Sequence, residues 1–538
     1  MKKLPTLPDI PESEQTPVVK SLLLIVEQCF QSIQQQAEEI ELLKDEVRVL
    51  KKQKKRPTFK PSNLDKETDK STGDDSVSTE NKKRPGSKKR SKNVNLTIHD
   101  DQVVQPQDGI PPGARFKGYR DFIVQELVIG TKNTRYRLAR YVTPDGQTLT
   151  AKLPKELNGL HYGPYLLSYV LYQHHHCHVT QPLLLEQLRE WGIDISAGQI
   201  NRLLSEGKSQ FHQEKNDILK AGLALSDYVT VDDSGARHKG VNGYVTQIGN
   251  EYFAWFESTG SKSRVNFLEL LCAGDKSYRI NHHAESYWVD QKLPHVPLKL
   301  LLESGLSHFA NALRWEEHLD EQGINSARHR RIATEGALLG NVQHQNRCQN
   351  LVILSDGAGQ FNILQHALCW IHTERLVHTM LPLNEWHRED IAKVRGEIWD
   401  LYRGLKTYKV QPGSDQKAAL ETFFDEIFTQ RTRYESLNQL LKRIYKNKAK
   451  LLRVLARPEI PLHTNGSETD IRDFVKKRKI SGGTRSDVGR ECRDTFSSLK
   501  KTCRKLGVSF WDYILDRNSG IGDIPPLAEL IRREVAAD

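Results

Sequence analysis

Three carboxylates in this chain of 538 residues have the sequence surroundings of metal ligands. Asp232 closes the β-branched run Tyr228-Val229-Thr230-Val231, and Asp356 follows the apolar run Leu351-Val352-Ile353-Leu354-Ser355. Each run reads as a short buried strand with an aspartate at its C-terminal end. Glu468 stands three residues after Asn465, where a helix-like stretch begins. That spacing has two readings. Glu468 closes a capping box by accepting from the Asn465 backbone N–H, or it swings from the first helical turn toward a site shared with the two aspartates. Carboxylate oxygens are the ligands that hard cations prefer, and Mg²⁺ binds through one or two of them while keeping waters and substrate phosphates; Mn²⁺ suits the same donors. Two such ions activate the attacking oxygen and stabilise the leaving oxygen of an in-line displacement. Strand-end aspartates are common, and residue pattern alone leaves the ordinary structural reading open.

The elements that must position these groups follow from periodicity. Asp232-Asp233 leads into Gly243–Ile248, a Gly249-Asn250 turn and Tyr252–Phe256, which is a β-hairpin, and then a helical stretch from Arg264 to Leu271. Upstream, residues 163–215 turn helical. Gln181–Glu190 is amphipathic, Trp191-Gly192-Ile193-Asp194 breaks it, and Ser196 caps a second helix carrying Ile200, Leu203 and Leu204. Helix, glycine turn, helix is the shape of a helix-turn-helix, and Gln199, Asn201 and Arg202 are its candidates for DNA contact. His174-His175-His176-Cys177-His178 invites a zinc reading, but adjacent residues on a helix do not converge on one ion, so a polar helix face is expected.

Further upstream, Val26, Ile33, Ile40 and Val47 recur every seven residues, with Cys29, Gln36, Leu43 and Leu50 three later. This seam predicts a parallel two-stranded coiled coil over residues 18–50, hence a homodimer or higher oligomer. Residues 1–17 and the linker 51–100 lack the apolar side chains needed to order themselves. Residues 101–155 read as a small β module, with strands at Phe122-Ile123-Val124, Tyr136-Arg137-Leu138 and Leu149-Thr150-Ala151 and a Pro144-Asp145-Gly146 turn.

The formal net charge is +11 and the sequence pI about 9.1, which favours a polyanionic partner. Residues 51–92 hold fifteen Lys plus Arg against six Asp plus Glu, or +9; residues 472–505 hold twelve against four, or +8. The two basic segments are therefore where nucleic-acid contact is expected. No apolar run reaches the ~18 residues that span a bilayer, and Lys2-Lys3 are not followed by the apolar segment of a signal peptide. Seven scattered cysteines without a C-x-x-C pair fit free thiols in a reducing, cytoplasmic setting.

Three ordered stretches, VDDSGARHKGVNGYV, LSDGAGQFNILQHALCWIHTERLVH and NGSETDIRDFVKKRKISGGTRSDVGRECRDTFSSLKKTCRKLG, resemble the insertion sequence 66 family of bacterial DDE transposases. The resemblance runs from about Leu157 to Leu515, and the coiled coil followed by a basic linker is also like the family. It implies an α/β ribonuclease-H-like core, a mixed sheet flanked by helices, over residues 223–480. Helical insertions are expected at about 274–345 and 381–460. Before the core come the helical region 156–222 and the β module, and after it a basic helical tail, 481–538.

The resemblance also implies the roles. Asp232 matches the first catalytic Asp, Asp356 the second and Glu468 the final Glu, together holding two Mg²⁺ or Mn²⁺ ions. Cys369 and His372 match the family's Cys-x-x-His and are read as supports of the site, because two ligands do not make a zinc site. Arg472, Lys476, Lys477, Arg478 and Lys479 are expected to hold phosphates. The implied partners are double-stranded DNA at the element's terminal inverted repeats and at the target, with no membrane. The chain departs from the family in three ways: residues 101–155 have no cysteine, the span from Asp232 to Asp356 is long, and Asp233 stands where a Glu usually follows the first Asp. Two rival readings are a non-catalytic DNA-binding regulator and a ribonuclease-H-like nuclease without strand transfer.

Overall fold

A computed structural model describes residues 161–537 except 346, 347 and 349, along with most of 129–153, residues 98–103 and parts of 16–36. Residues 51–97 of the linker, the Phe122-Ile123-Val124 strand and the coiled-coil positions from Ile40 onward lie outside the described residues. Residues 17–26 are helical, with Val18, Leu22 and Ile25 more than half exposed. The chain divides into two units, one of residues 58–135 with 191–193 and one of all the rest. In the smaller unit, Thr131 Oγ1 donates to the Trp191 carbonyl at 2.5 Å. All that follows concerns the larger unit.

After the helix at residues 17–26 it holds the ribbon β1 (Arg140–Val142) and β2 (Thr148–Thr150), paired antiparallel from Arg140↔Thr150 to Val142↔Thr148. The expected strand at Tyr136-Arg137-Leu138 is not one. The turn at Gly146 (φ 82°) sets the register, and the partner of β2 falls later in the chain. Helices α1 (Pro164–His175), α2 (Gln181–Glu190), α3 (Ala197–Ser205) and α4 (Ser209–Leu225) follow. Ser196 caps α3 as expected, by a reciprocal capping box with Gln199. In the histidine run, His174 and His175 are packed inside the fold, His175 stacking on Phe496.

The central sheet comprises β3 (Tyr228–His238), β4 (Val241–Gly249), β5 (Ala254–Thr259), β8 (Val352–Ser355) and β9 (Gln365–Leu368), in the order β5-β4-β3-β8-β9. The first three form an antiparallel meander, and β8 and β9 add in parallel. The expected end of β3 at Asp232-Asp233 is too early. Lys239 and Gly240 both take positive φ (47° and 80°), the two-residue turn that matches strand twist, so β4 folds back and pairs with β3 as far as His238↔Val241.

Two helical segments interrupt the sheet. After α5 (Arg264–Leu271) come β6 (Tyr278–Arg279), α6 (His282–Asp290), α7 (His295–Glu303), β7 (His308–Phe309), α8 (Ala312–Glu321) and α9 (Ala327–His344). Trp288 and Trp315 are buried against α9, donating to the Ala333 carbonyl at 3.1 Å and to Thr334 Oγ1 at 2.9 Å. After β9 come α10 (Trp370–His378), α11 (Glu385–Val410), α12 (Ser414–Thr429), α13 (Glu435–Tyr445) and α14 (Lys448–Leu451), around a core that includes Trp370, Leu401, Phe424, Phe428 and Leu437.

The chain then returns to the sheet as α15 (Asn465–Ser481) and α16 (Asp487–Lys505), and ends in α17 (Phe510–Ser519) and α18 (Leu527–Ala537). Gly482 ends α15 in the left-handed region (φ 72°), and Gly483 lies against the end of β3, where a Cβ would meet the Arg237 carbonyl at 2.5 Å. Helix α16 seals the free edge of β5. Asp494, Ser498 and Thr502, four residues apart on one helix face, accept from the Ser258, Phe256 and Ala254 N–H groups at 2.9, 2.9 and 3.2 Å. An uncovered edge would leave these donors as a template for aggregation. Ser498→Ala removes the acceptor of a buried N–H and is expected to cost about 1–3 kcal/mol. Denaturant unfolding measures this, and a loss below about 0.5 kcal/mol would mean that the donor has another partner.

Candidate active site

The parallel pairing of β3 with β8 runs Tyr228↔Val352, Val229↔Ile353 and Thr230↔Leu354. Asp232 and Asp356 each stand two residues beyond the last pair. The register therefore sets them at one level on adjacent chains, which run about 4.8 Å apart in a sheet. Thr230, Asp232 and Ser234 share one face of β3. Helix α15 lies on that face: Ser467 Oγ donates to Thr230 Oγ1, and Arg478 donates to Ser234 Oγ and the Gly235 carbonyl. Glu468, in the same turn of α15, comes close enough to Asp232 for its charge to help raise the Asp232 carboxyl.

The capping reading of Glu468 does not hold. The cap is Thr464, Asn465 is already helical, and the Glu468 N–H donates to the Thr464 carbonyl at 3.1 Å. The Glu468 carboxylate instead accepts from Arg472 at 2.9 Å on Oε2 and has His372 Nε2 at 3.7 Å from Oε1. His372 and Cys369 interact, and this raises the imidazole above its usual range. Burial pushes the Cys369 thiol up, but His372 and Thr464 outweigh it and hold the thiol below its usual range. The pair thus borders Glu468 and ties it to α10.

The two adjacent aspartates differ. Asp232 Oδ1 accepts from the Asp233 N–H at 2.7 Å. Burial raises its carboxyl to about 6, with Asp356, Glu468 and Asp233 adding to the rise and the Asp233 N–H opposing it. Asp233 has both oxygens engaged, Oδ1 by Thr246 Oγ1 at 2.6 Å and Oδ2 by Gln360 Nε2 at 2.8 Å. It therefore fastens β3 and β4 to the loop that carries Asp356. Thr246, Gln360 and Ser467 are contributors that sequence reasoning missed. Only Gln360 had a signal, standing four residues after Asp356 in the same loop.

The other candidates separate. On α15, Arg472, Lys476 and Lys479 are exposed along a helical stripe continuing from Glu468, whereas Lys477 is buried and donates to the His174 carbonyl at 2.6 Å. Burial, aided by Lys500 and Arg493, lowers the Lys477 ammonium to about 7. Lys477 is therefore a packing residue, contrary to the expectation that it holds phosphate. Arg478 is turned onto β3 as described. Gln199 is engaged in the cap of α3, while Arg202 is exposed.

The second basic segment is not the open surface that its charge count suggested. Lys500 pairs with Asp473, Lys501 with Asp470 and Asp473 (3.7 and 3.8 Å), and Lys505 with Asp470 (3.0 Å). Arg493 is buried beside Asp494 and over the Phe474 ring. A basic face needs its charges outside, and here α15 and α16 turn many of theirs toward each other.

Among the described residues, no three His, Cys, Asp or Glu side chains converge tightly enough to hold a metal ion. The donor chemistry nevertheless fits a hard cation, since Asp232, Asp356 and Glu468 offer only oxygens. Glu468 would have to exchange Arg472 and His372 for the ion.

The raised value of Asp232 has a consequence for stability. Folding favours its protonated form, so the stabilising contribution is full below the ordinary carboxyl value of 3.8 and is lost as pH rises through about 6. In the metal-free protein, Asp232→Asn should match the wild type in unfolding free energy below about pH 4 and exceed it by roughly 1–3 kcal/mol above pH 6, as denaturant unfolding at each pH would measure. A pH-independent difference would contradict this.

A family model described as Transposase IS66 family matches residues 337–491, a span that includes Asp356, Cys369, His372 and Glu468 and leaves Asp232 upstream. The chain is also similar to an uncharacterized protein, y4jO, of Sinorhizobium fredii, 42% identical over 317 residues that cover 58% of this chain and 99% of that protein. No helix among the described residues is long and apolar enough to cross a membrane. With the ordered motifs, the match over the Asp356–Glu468 region and a relative aligned over nearly its whole length, the chain belongs to the IS66 family of transposases.

Proposed function

We propose that this transposase is a DDE enzyme of ribonuclease-H-like fold, cutting the ends of its own element and joining them to target DNA. The observation that carries the reading is the common level of Asp232 and Asp356 beyond the β3–β8 pairing, with Glu468 close enough to act on the Asp232 carboxyl. The sheet supports the fold assignment: three antiparallel strands in sequence, then two parallel strands added beside the first.

Asp232, Asp356 and Glu468 would hold two Mg²⁺ or Mn²⁺ ions. When bound, such ions neutralise charge at the reacting phosphate and make water a stronger nucleophile. The residues of the chain then have separate tasks. Arg472, Lys476 and Lys479 bind backbone phosphates beside the carboxylates, fixing the scissile bond without reading sequence. Asp233, through Gln360 and Thr246, keeps the Asp356 loop against β3 and β4. His372 and Arg472 hold the Glu468 carboxylate until the site is loaded.

In the first step a water oxygen forms a bond to phosphorus at the transposon end, and the 3′ oxygen leaves with a proton as a free 3′-OH. In the second step that hydroxyl attacks a target phosphodiester, displaces a target 3′ oxygen and joins the strands. No covalent protein intermediate is needed, so positioning and charge stabilisation are the protein's contribution. The heptads of residues 18–50 add the expectation that at least two copies act together.

Glu468→Gln should lower Mg²⁺-dependent nicking of a duplex carrying the element's ends by roughly 10³-fold or more, with duplex affinity retained. Full cleavage by that variant would remove Glu468 from the site. Joining of the cut end to a second duplex separates a transposase from a nuclease, and wild-type binding without nicking would favour the regulator. Lys476→Gln should reduce the salt dependence of binding by about one in log–log slope, whereas Lys477→Met should leave the slope unchanged.

A further inference from the structure

Beside the Asp356 loop lies a group of cations that this chemistry does not use. Arg264 opens α5, Lys450 lies on α14, and Arg453 follows in a 3-10 turn. Packing of α14 on β9, and of α5 on the 3-10 turn Gly359–Phe361, brings these separate segments together. The buried His366 of β9 reports their closeness: burial and then Lys450, Arg453 and Arg264 lower its imidazole to about 4. His366 Nε2 is 2.9 Å from Ser355 Oγ, next to Asp356. Arg264 donates to the Gly359 carbonyl in the same loop at 2.7 Å and to Tyr287 Oη at 2.8 Å.

The acids nearby neutralise only part of the group: the buried Glu335 pairs with Arg264 at 3.6 Å. Lys448, two residues before Lys450, pairs with Asp425 at 2.6 Å. Among the described residues, neither Lys450 nor Arg453 forms an ion pair, and the buried Arg453 Nε has no hydrogen-bond partner. Like charges held together are unfavourable unless an anion joins them.

We propose that Lys450 and Arg453, beside the Glu335-paired Arg264, form a phosphate-binding subsite that grips the backbone of a DNA strand on the β9 side of the Asp356 loop, separate from the row on α15. This rests on the reading of the protein as a DNA-processing transposase. Guanidinium and ammonium groups recognise phosphate oxygens and carry no base code, so the contact is independent of sequence.

The test uses the full chain and a random-sequence duplex, with affinity measured by fluorescence anisotropy across salt concentrations. Lys450→Gln should lower the slope of log affinity against log salt by about one, and Lys450→Gln with Arg453→Gln by about two. Lys446→Gln, which removes an exposed charge on the adjoining surface, should leave it unchanged. A wild-type slope in both Lys450 variants would overturn the subsite and leave the transposase reading intact. An equal loss in Lys446→Gln would overturn it as a bulk charge effect. Absence of duplex binding by the wild type would overturn both. The single variant, partly exposed on a short helix, keeps the test valid if the double variant does not fold.

Discussion

Three residue pairs between β3 and β8 are the constraint on which the candidate site depends. Parallel strands cannot be joined by a tight turn, so the chain must leave the sheet and return. Here it does so through α5–α9, and the return must land in one register. A one-residue slip would break the common level of Asp232 and Asp356 and turn the β8 side chains to the opposite faces. The fully buried Val229, Val352, Ile353 and Leu354 oppose such a slip, because each would lose its close-packed neighbours and have to repack against others. Asp233 adds a polar lock through Gln360, at the point where the Asp356 loop leaves the strand.

Helices α15 and α16 complete the sheet in different ways. The first lies on the Asp232 face and brings Glu468. The second supplies acceptors to the edge of β5 in place of another strand. The two are joined by charge: Asp470 and Asp473 on α15 against Lys500, Lys501 and Lys505 on α16. Although burial pushes the Asp473 carboxyl up, His178 and Lys500 hold it far below the usual carboxylate range. Buried pairs of this kind are weak evidence for net stability, but removing one partner strands the other without compensation. Their effect here is orientation. They set the rotation of α15 about its axis, and with it which of its cations face outward.

The site itself works against folding. Asp232 is buried near other carboxylates, and Glu468 leans on Arg472 and His372. Repulsion among acids at one place is the usual mark of a functional site, since packing alone gives no reason for it. A cation bound there would offset the repulsion.

Much of this was legible in the sequence. The β-branched runs before Asp232 and Asp356, the hairpin after Asp233, the cap at Ser196 and the helix carrying Glu468 rest on local rules of period, capping and turn chemistry, which depend on neighbours in the chain. The ordered motifs identified the family for the same reason. What local rules could not supply were relations between distant segments. The continuation of β3 to His238 depends on its partner β4. The rejection of the capping box depends on Thr464 and on where α15 meets β3. The burial of Lys477, and of much of a segment counted as +8, depends on how α15 and α16 face each other. Charge and spacing along the chain therefore determined which residues could do the chemistry. Only tertiary packing, through strand register and helix rotation, decided which of them share a site, because neither is a property of any single stretch of sequence.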